Sequence, residues 1–255
     1  MYSHIFRSGQ DPTRHPTVIL IHGLGGTLNI WDPIVSVLEH RFSVLRYDLR
    51  GHGQSDVPTG DWFLDDFVRD LEEIFIDETL LHAHLVGFSL GGLIVQQFAL
   101  SYPERVVQLA ILSAVAGRTS TERERVQERL QNLKTGDLET NIELALERWF
   151  SPEFRQNHPE RVQKRIAELR ATSPAGYFQA YRVFVLSDLA EHLSKIQCET
   201  LVMTGEHDPG SNVRMARLMH EAIPNSKLDI LTDLRHSILV ESPQLIAEKL
   251  DSFLR

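Results

Sequence analysis

A single cysteine, Cys198, stands in a chain of 255 residues. One thiol excludes an internal disulfide and any zinc site built from several cysteines, and it fits a reducing compartment. It lies in KIQCETLVMTG, at the mouth of a strand-like run, where a small buried residue is the ordinary reading. Positive charge is short as well: 26 lysines and arginines face 35 acidic residues, for a net charge of −9. With no basic cluster to override that balance, nucleic acid is not an expected partner. No apolar run reaches membrane-spanning length, and MYSHIFRSGQ holds no apolar stretch of signal-peptide length. A cytoplasmic protein without a membrane partner is therefore expected. Internal repeats and low-complexity tracts are missing too.

What is present is a rhythm. HPTVILIHG, RFSVLRYDL, AHLVGFS, VVQLAILSAV, TLVMTGEHD and SKLDILTD read as strands, most of them near-continuous apolar runs. Helical segments follow them, among them WDPIVSVLEH, DWFLDDFVRDLEEIF, VRMARLMHEAIP and PQLIAEKLDSFL. Such alternation predicts an α/β fold with a mostly parallel sheet covered on both faces. A site should then lie outside the carboxyl ends of the strands. Residues 117–187 break the rhythm: they are rich in charge, helical in period and without a convincing strand. Gly136, Pro152, Pro159 and Pro174 divide this stretch into about four short helices. The expected organisation is a core of residues 1–116 and 188–255, interrupted by a helical lid at 117–187.

GFSLGG, at residues 87–92, places Ser89 where a strand turns directly into a helix. That is the setting of a G-x-S-x-G nucleophile elbow, a strained turn that exposes the serine oxygen. Serine needs a base, and His236 in DLRHS follows a strand on the same sheet edge. Asp208, a few residues past the strand in TLVMTGEHD, comes between them in chain order and can hold the imidazole. Glu206 and Asp233 are the competing acids. The oxyanion donors expected are the backbone N–H groups of Leu90, at a helix N-terminus, and of Leu24 in HGLGGT. His22 reads as a brace for that loop, and RGHGQSD as a second, buttressing loop. No CxxC or HExxH pattern accompanies His207, so no metal is expected, and nothing calls for a cofactor.

Taken in order, HGLGGT, RYDLRGHGQSD, GFSLGG, GEHDP and RHSILVESP resemble the α/β-hydrolase fold family over nearly the whole chain. Within it the chain most resembles the 3-oxoadipate enol-lactonases, partly through the lid segments ALERWFSPEFRQNHPERV and PAGYFQAYRVF. The resemblance implies hydrolysis of a small enol-lactone in aromatic catabolism. It carries the triad onto Ser89, Asp208 and His236, and the oxyanion donors onto Leu24 and Leu90. There are departures. About eight residues precede DPTRHP where the family opens with two strands, Ser237 stands beside the base, and DPGSNV replaces a proline-containing loop after the acid. A carboxylate-bearing lactone needs a cation, for which Arg148, Arg182 and Arg118 are candidates, with Trp149 and Phe150 as apolar walls. The alternatives are a carboxylesterase of other small acyl groups and a slow-turnover ligand receptor on the same scaffold. Ser89 counts against epoxide hydrolases and haloalkane dehalogenases, whose nucleophile is acidic.

Overall fold

In the computed structural model, which describes residues 3–135 and 138–255, every run read as a strand pairs into one sheet. The strands are β1 (Ile5–Gly9), β2 (Thr17–Ile21), β3 (Ser43–Tyr47), β4 (Ala83–Phe88), β5 (Val106–Leu112), β6 (Glu199–Gly205) and β7 (Ser226–Leu231). Their spatial order is β1-β3-β2-β4-β5-β6-β7. All neighbours are parallel except β1, which runs antiparallel to β3 on the edge. Two described strands, β1 and β2, precede the HGLGGT loop, and β1 alone lies before DPTRHP, in the short segment available there. The middle strands are fully buried, which is why they lack the alternation of a half-exposed strand.

The core helices before the lid are α1 (Asp32–Leu38), α2 (Leu64–Asp77) and α3 (Leu90–Ser101). The lid holds α4 (Ser120–Thr135), α5 (Leu138–Trp149), α6 (Pro152–Asn157), α7 (Pro159–Ala171) and α8 (Pro174–Leu186). The core resumes with α9 (Val213–Ala222), α10 (Ile238–Glu241) and α11 (Pro243–Phe253). On one face of the sheet α2, α3 and α9 bury Phe67, Leu71, Phe75, Phe98 and Met215. On the other, α1 and α11 bury Ile34, Leu38, Ile246 and Leu250. Two covered faces are what the parallel sheet demanded.

Among the described residues the lid has five helices rather than four. Pro152, Pro159 and Pro174 each open a new helix, as the missing N–H of proline favours, and Gly136 lies outside the described residues. Ile142, Phe150, Phe154, Val162 and Ile166 give the lid a small core of its own. Among the described residues no helix is long and apolar enough to cross a membrane.

Candidate active site

Three of the parallel strands deliver one residue each to a common edge. Ser89 follows β4 directly, with φ of 55° and ψ of −110°, a conformation that side chains rarely adopt. The turn closes because glycines flank it. A Cβ on Gly87 would meet the Gly91 carbonyl oxygen at 2.2 Å, and one on Gly91 would meet the Ile21 oxygen at 2.2 Å. The Ser89 N–H donates to the Leu112 carbonyl at 2.8 Å, pinning the elbow to β5.

His236 and Asp208 complete the line. The His236 Nε2 lies 3.1 Å from the Ser89 Oγ, and its Nδ1 lies 2.7 Å from the Asp208 Oδ2. The other carboxylate oxygen of Asp208 accepts the N–H groups of Gly210 and Ser211, at 2.8 and 2.9 Å. This turn is what DPGSNV supplies in place of a proline loop. It holds a buried carboxylate in one orientation, so the imidazole is held in turn. Glu206 and Asp233, the rival acids, stand exposed around His207, with ligand atoms within 4.8 Å of one another. The His236 ring bonds to Asp208 instead.

The glycine-rich loop after β2 lies against the elbow: a Cβ on Gly23 would come within 2.9 Å of the Ser89 Cβ. His22 is wholly buried, with its Nδ1 2.8 Å from the Gly23 carbonyl while its Nε2 accepts the Leu49 N–H at 3.0 Å. The Nδ1 therefore carries the proton and donates. His52, from the second glycine-rich loop, accepts the Gly25 N–H at 3.0 Å. Burial holds both rings neutral, pushing His22 down to about 4 and His52 to about 3. They act as braces. Leu90 opens α3, so its N–H has no acceptor one turn back and faces the helix's positive end.

Above this edge the lid closes a cavity. Ser89, His236, Leu24 and Phe88 form its floor, while Arg129, Arg148, Trp149, Arg165, Tyr177 and Tyr181 line it from the lid. Trp149 thus stands where the sequence suggested. Phe150 does not: it is fully buried in the lid core, stacked on Phe154 with ring centres 5.4 Å apart. Trp149 ends α5 and Phe150 follows it, its N–H still donating to the Leu146 carbonyl at 3.0 Å, so the two side chains leave the chain in different directions.

Of the three arginines read from the sequence, only Arg148 lines the cavity. Arg182 pairs with Asp61 at 3.3 Å on the far side of α8, and Arg118 is buried under the carbonyls of Phe184 and Ser187. Arg129 and Arg165 escaped notice because TERERVQERLQ and RVQKRIAELR carry charge all round. A solvated helix face has the same pattern. Arg148 reaches only its own helix carbonyl of Leu144, at 2.6 Å, and the Arg129 Nε donates to the Tyr181 hydroxyl at 3.0 Å. Among the described residues neither guanidinium has a carboxylate partner. Burial, and next the facing Arg129, push Arg148 below its ordinary value.

A strained serine, an imidazole, a buried carboxylate and two glycine-braced amides at the mouths of parallel strands define a hydrolase of the α/β class. Residues 16–243 match the model of the alpha/beta hydrolase fold family, and the chain belongs to it. It is 32% identical over 255 residues to the (E)-2-((N-methylformamido)methylene)succinate hydrolase of Acinetobacter baylyi, across 99% of this chain and 94% of that one. It is 29% identical to 3-oxoadipate enol-lactonase 2 of the same organism, across 94% of this chain and 89% of that protein. The crystal structure of an enol-lactonase from Burkholderia xenovorans superposes with a TM-score of 0.93 at 25% identity, covering 99% of this chain and 96% of the other.

Proposed function

We propose that the protein hydrolyses small carboxylate-bearing lactones, with 3-oxoadipate enol-lactone as the leading substrate, through Ser89, His236 and Asp208. His236 takes the Ser89 proton as the oxygen attacks the lactone carbonyl, and Asp208 steadies the imidazolium that forms. The N–H groups of Leu24 and Leu90 receive the oxyanion. Ring opening leaves an acyl-enzyme, and water activated by His236 releases the acid and restores the serine. This route needs no cofactor.

The observation that carries the substrate class is the Arg129–Arg148 pair. Two like charges share one cavity wall and, among the described residues, neither is paired with a carboxylate, an arrangement that favours an anionic ligand. The enol-lactonase relatives support the same reading. A second reading has its own support. Two guanidiniums suit a dicarboxylate, and the relative at 32% identity is named for a substituted succinate.

The test is a panel of 3-oxoadipate enol-lactone, neutral lactones, short p-nitrophenyl esters and the methylenesuccinate amide, with wild type and Ser89→Ala. Lactone opening that Ser89→Ala abolishes, with neutral esters far slower, is the expected result. Arg148→Met then raises KM for the acidic lactone by about tenfold or more and leaves a neutral ester unchanged. Ester hydrolysis with no preference for acids would discard the substrate class while keeping the serine chemistry. Turnover that survives Ser89→Ala would discard both.

A further inference from the structure

The loop that holds Leu24 is clamped peptide by peptide, and one clamp comes from the lid. The Gly23 carbonyl belongs to the same peptide unit as the Leu24 N–H, and it accepts from the His22 Nδ1 at 2.8 Å and the Gly26 N–H at 3.1 Å. In the next unit the Leu24 carbonyl accepts from the Arg165 Nη2 at 3.0 Å, while the Gly25 N–H donates to His52 at 3.0 Å. In the third the Gly25 carbonyl accepts from the Arg165 Nη1 at 2.6 Å. Of the six polar groups in these three units, only the Leu24 N–H has no acceptor among the described residues. It is the donor assigned to the oxyanion.

Arg165 sits on α7, far from this loop in sequence, and is almost completely buried. Its charge is balanced by Glu168 at 3.7 Å, and its guanidinium stacks over the Trp149 ring at 4.7 Å. The Trp149 carbonyl in turn accepts the Ser237 N–H at 2.9 Å, directly beside His236. Lid side chains also pack the loop: a Cβ on Gly25, whose φ is +65°, would strike Leu169 at 2.6 Å and Tyr177 at 3.0 Å. The lid therefore contacts both the oxyanion loop and the histidine loop through the Arg165–Trp149 pair.

From this geometry we infer that Arg165 is a positioning residue: with the lid seated, its two bonds to the Leu24 and Gly25 carbonyls aim the Leu24 N–H at the reacting carbonyl. The guanidinium spends donors on two loop carbonyls, whereas Arg129 and Arg148 line the cavity with one bond each, to the Tyr181 hydroxyl and the Leu144 carbonyl. Without Arg165 two carbonyls lose their donors, and the Leu24–Gly25 peptide is left with the bond from its Gly25 N–H to His52, so the loop that carries the Leu24 N–H loses its clamp from the lid. The inference rests on the serine-hydrolase reading, and its test separates the two.

The experiment uses neutral p-nitrophenyl butyrate, which offers no carboxylate to any arginine, beside 3-oxoadipate enol-lactone as an acidic substrate, with wild type, Arg165→Ala and Arg165→Lys. Folding is followed by circular dichroism and thermal midpoint. Removing the clamp should lower kcat by about ten- to a hundredfold with KM within about twofold, as for a misaimed oxyanion donor. Low millimolar guanidinium should restore part of the rate in Arg165→Ala. Arg165→Lys keeps the charge but cannot reach both carbonyls in a fork, so it should stay impaired. Inhibition by butylboronic acid, whose serine adduct is tetrahedral, should weaken in step with kcat/KM. Loss confined to acidic substrates would overturn the inference and make Arg165 a substrate ligand. So would a folded Arg165→Ala with unchanged kcat, or a loss that neither guanidinium nor boronate affinity follows. Wild type inactive on every ester would instead count against the serine-hydrolase reading itself.

Discussion

Of Ser89, His236 and Asp208, Ser89 is the one with a positive φ, and its backbone carries a cost of its own. A non-glycine residue in so sparsely populated a region costs on the order of 1–3 kcal/mol, and the surrounding bonds hold it there. Glycine relieves that strain and loses somewhat more entropy on folding. Ser89→Gly should therefore be about 1 kcal/mol more stable than Ser89→Ala in urea, with both inactive. Equal midpoints would mean that the elbow stores no strain. Ser237, beside the base, lines the cavity, and its backbone N–H donates to the Trp149 carbonyl of the lid at 2.9 Å.

Helix α8 meets the core through bare backbone. A Cβ on Gly176 would lie 2.5 Å from the Gly51 carbonyl oxygen, and Gly51 itself has φ of +75° beneath Trp62. No side chain can move aside there, because both surfaces are main chain. Gly176→Ala should thus push α8 off the RGHGQSD loop. An expected loss of about 1–3 kcal/mol, as for other overpacked contacts, would be accompanied by a lower kcat/KM. Thermal midpoint and ester kinetics read both. A variant as stable and active as wild type would show that the lid rides freely over the core. The glycine spacing of RGHGQSD announced a tight loop, but its partner on α8 lies more than a hundred residues away in sequence.

For the molecule as a whole, buried histidines set the acid limit. His22, His52 and His84 are each held neutral, mainly by burial, at about 4, 3 and 4 respectively. Unfolded, each would titrate near an ordinary value of about 6.5. Between about 6.5 and 4 the unfolded chain binds protons that the native chain refuses, so stability rises with pH in that window. It is fully present above about 6.5 and is lost on acidification, at up to about 1.4 kcal/mol per pH unit for each histidine. Urea midpoints should therefore fall steeply from pH 7 to pH 5, and His84→Gln should flatten the slope by about one proton. A flat dependence would mean that these rings are charged or hydrated in the native state.

Periodicity and local chemistry carried much of this description. Continuous apolar runs alternating with helices implied a parallel sheet, because strands buried on both faces need no alternation. G-x-S-x-G between a strand and a helix marked Ser89, since that turn has few other solutions. Asp208 and His236 followed from chain order and strand ends. The lid was legible as an interruption but not as a surface, for dense charge around a helix looks alike whether it faces water or a cavity. Arg129 and Arg165 were hidden for that reason, and Phe150, the residue after Trp149 at the end of α5, turned into the lid core instead of the cavity. The fold class, the elbow and the chain order of the three residues that meet there could be read from the residues alone, since all of them depend on local pattern. Which arginines line the cavity above Ser89, and which one bonds the Leu24 and Gly25 carbonyls, was settled by the folded chain, because those contacts join segments that pattern alone cannot bring together.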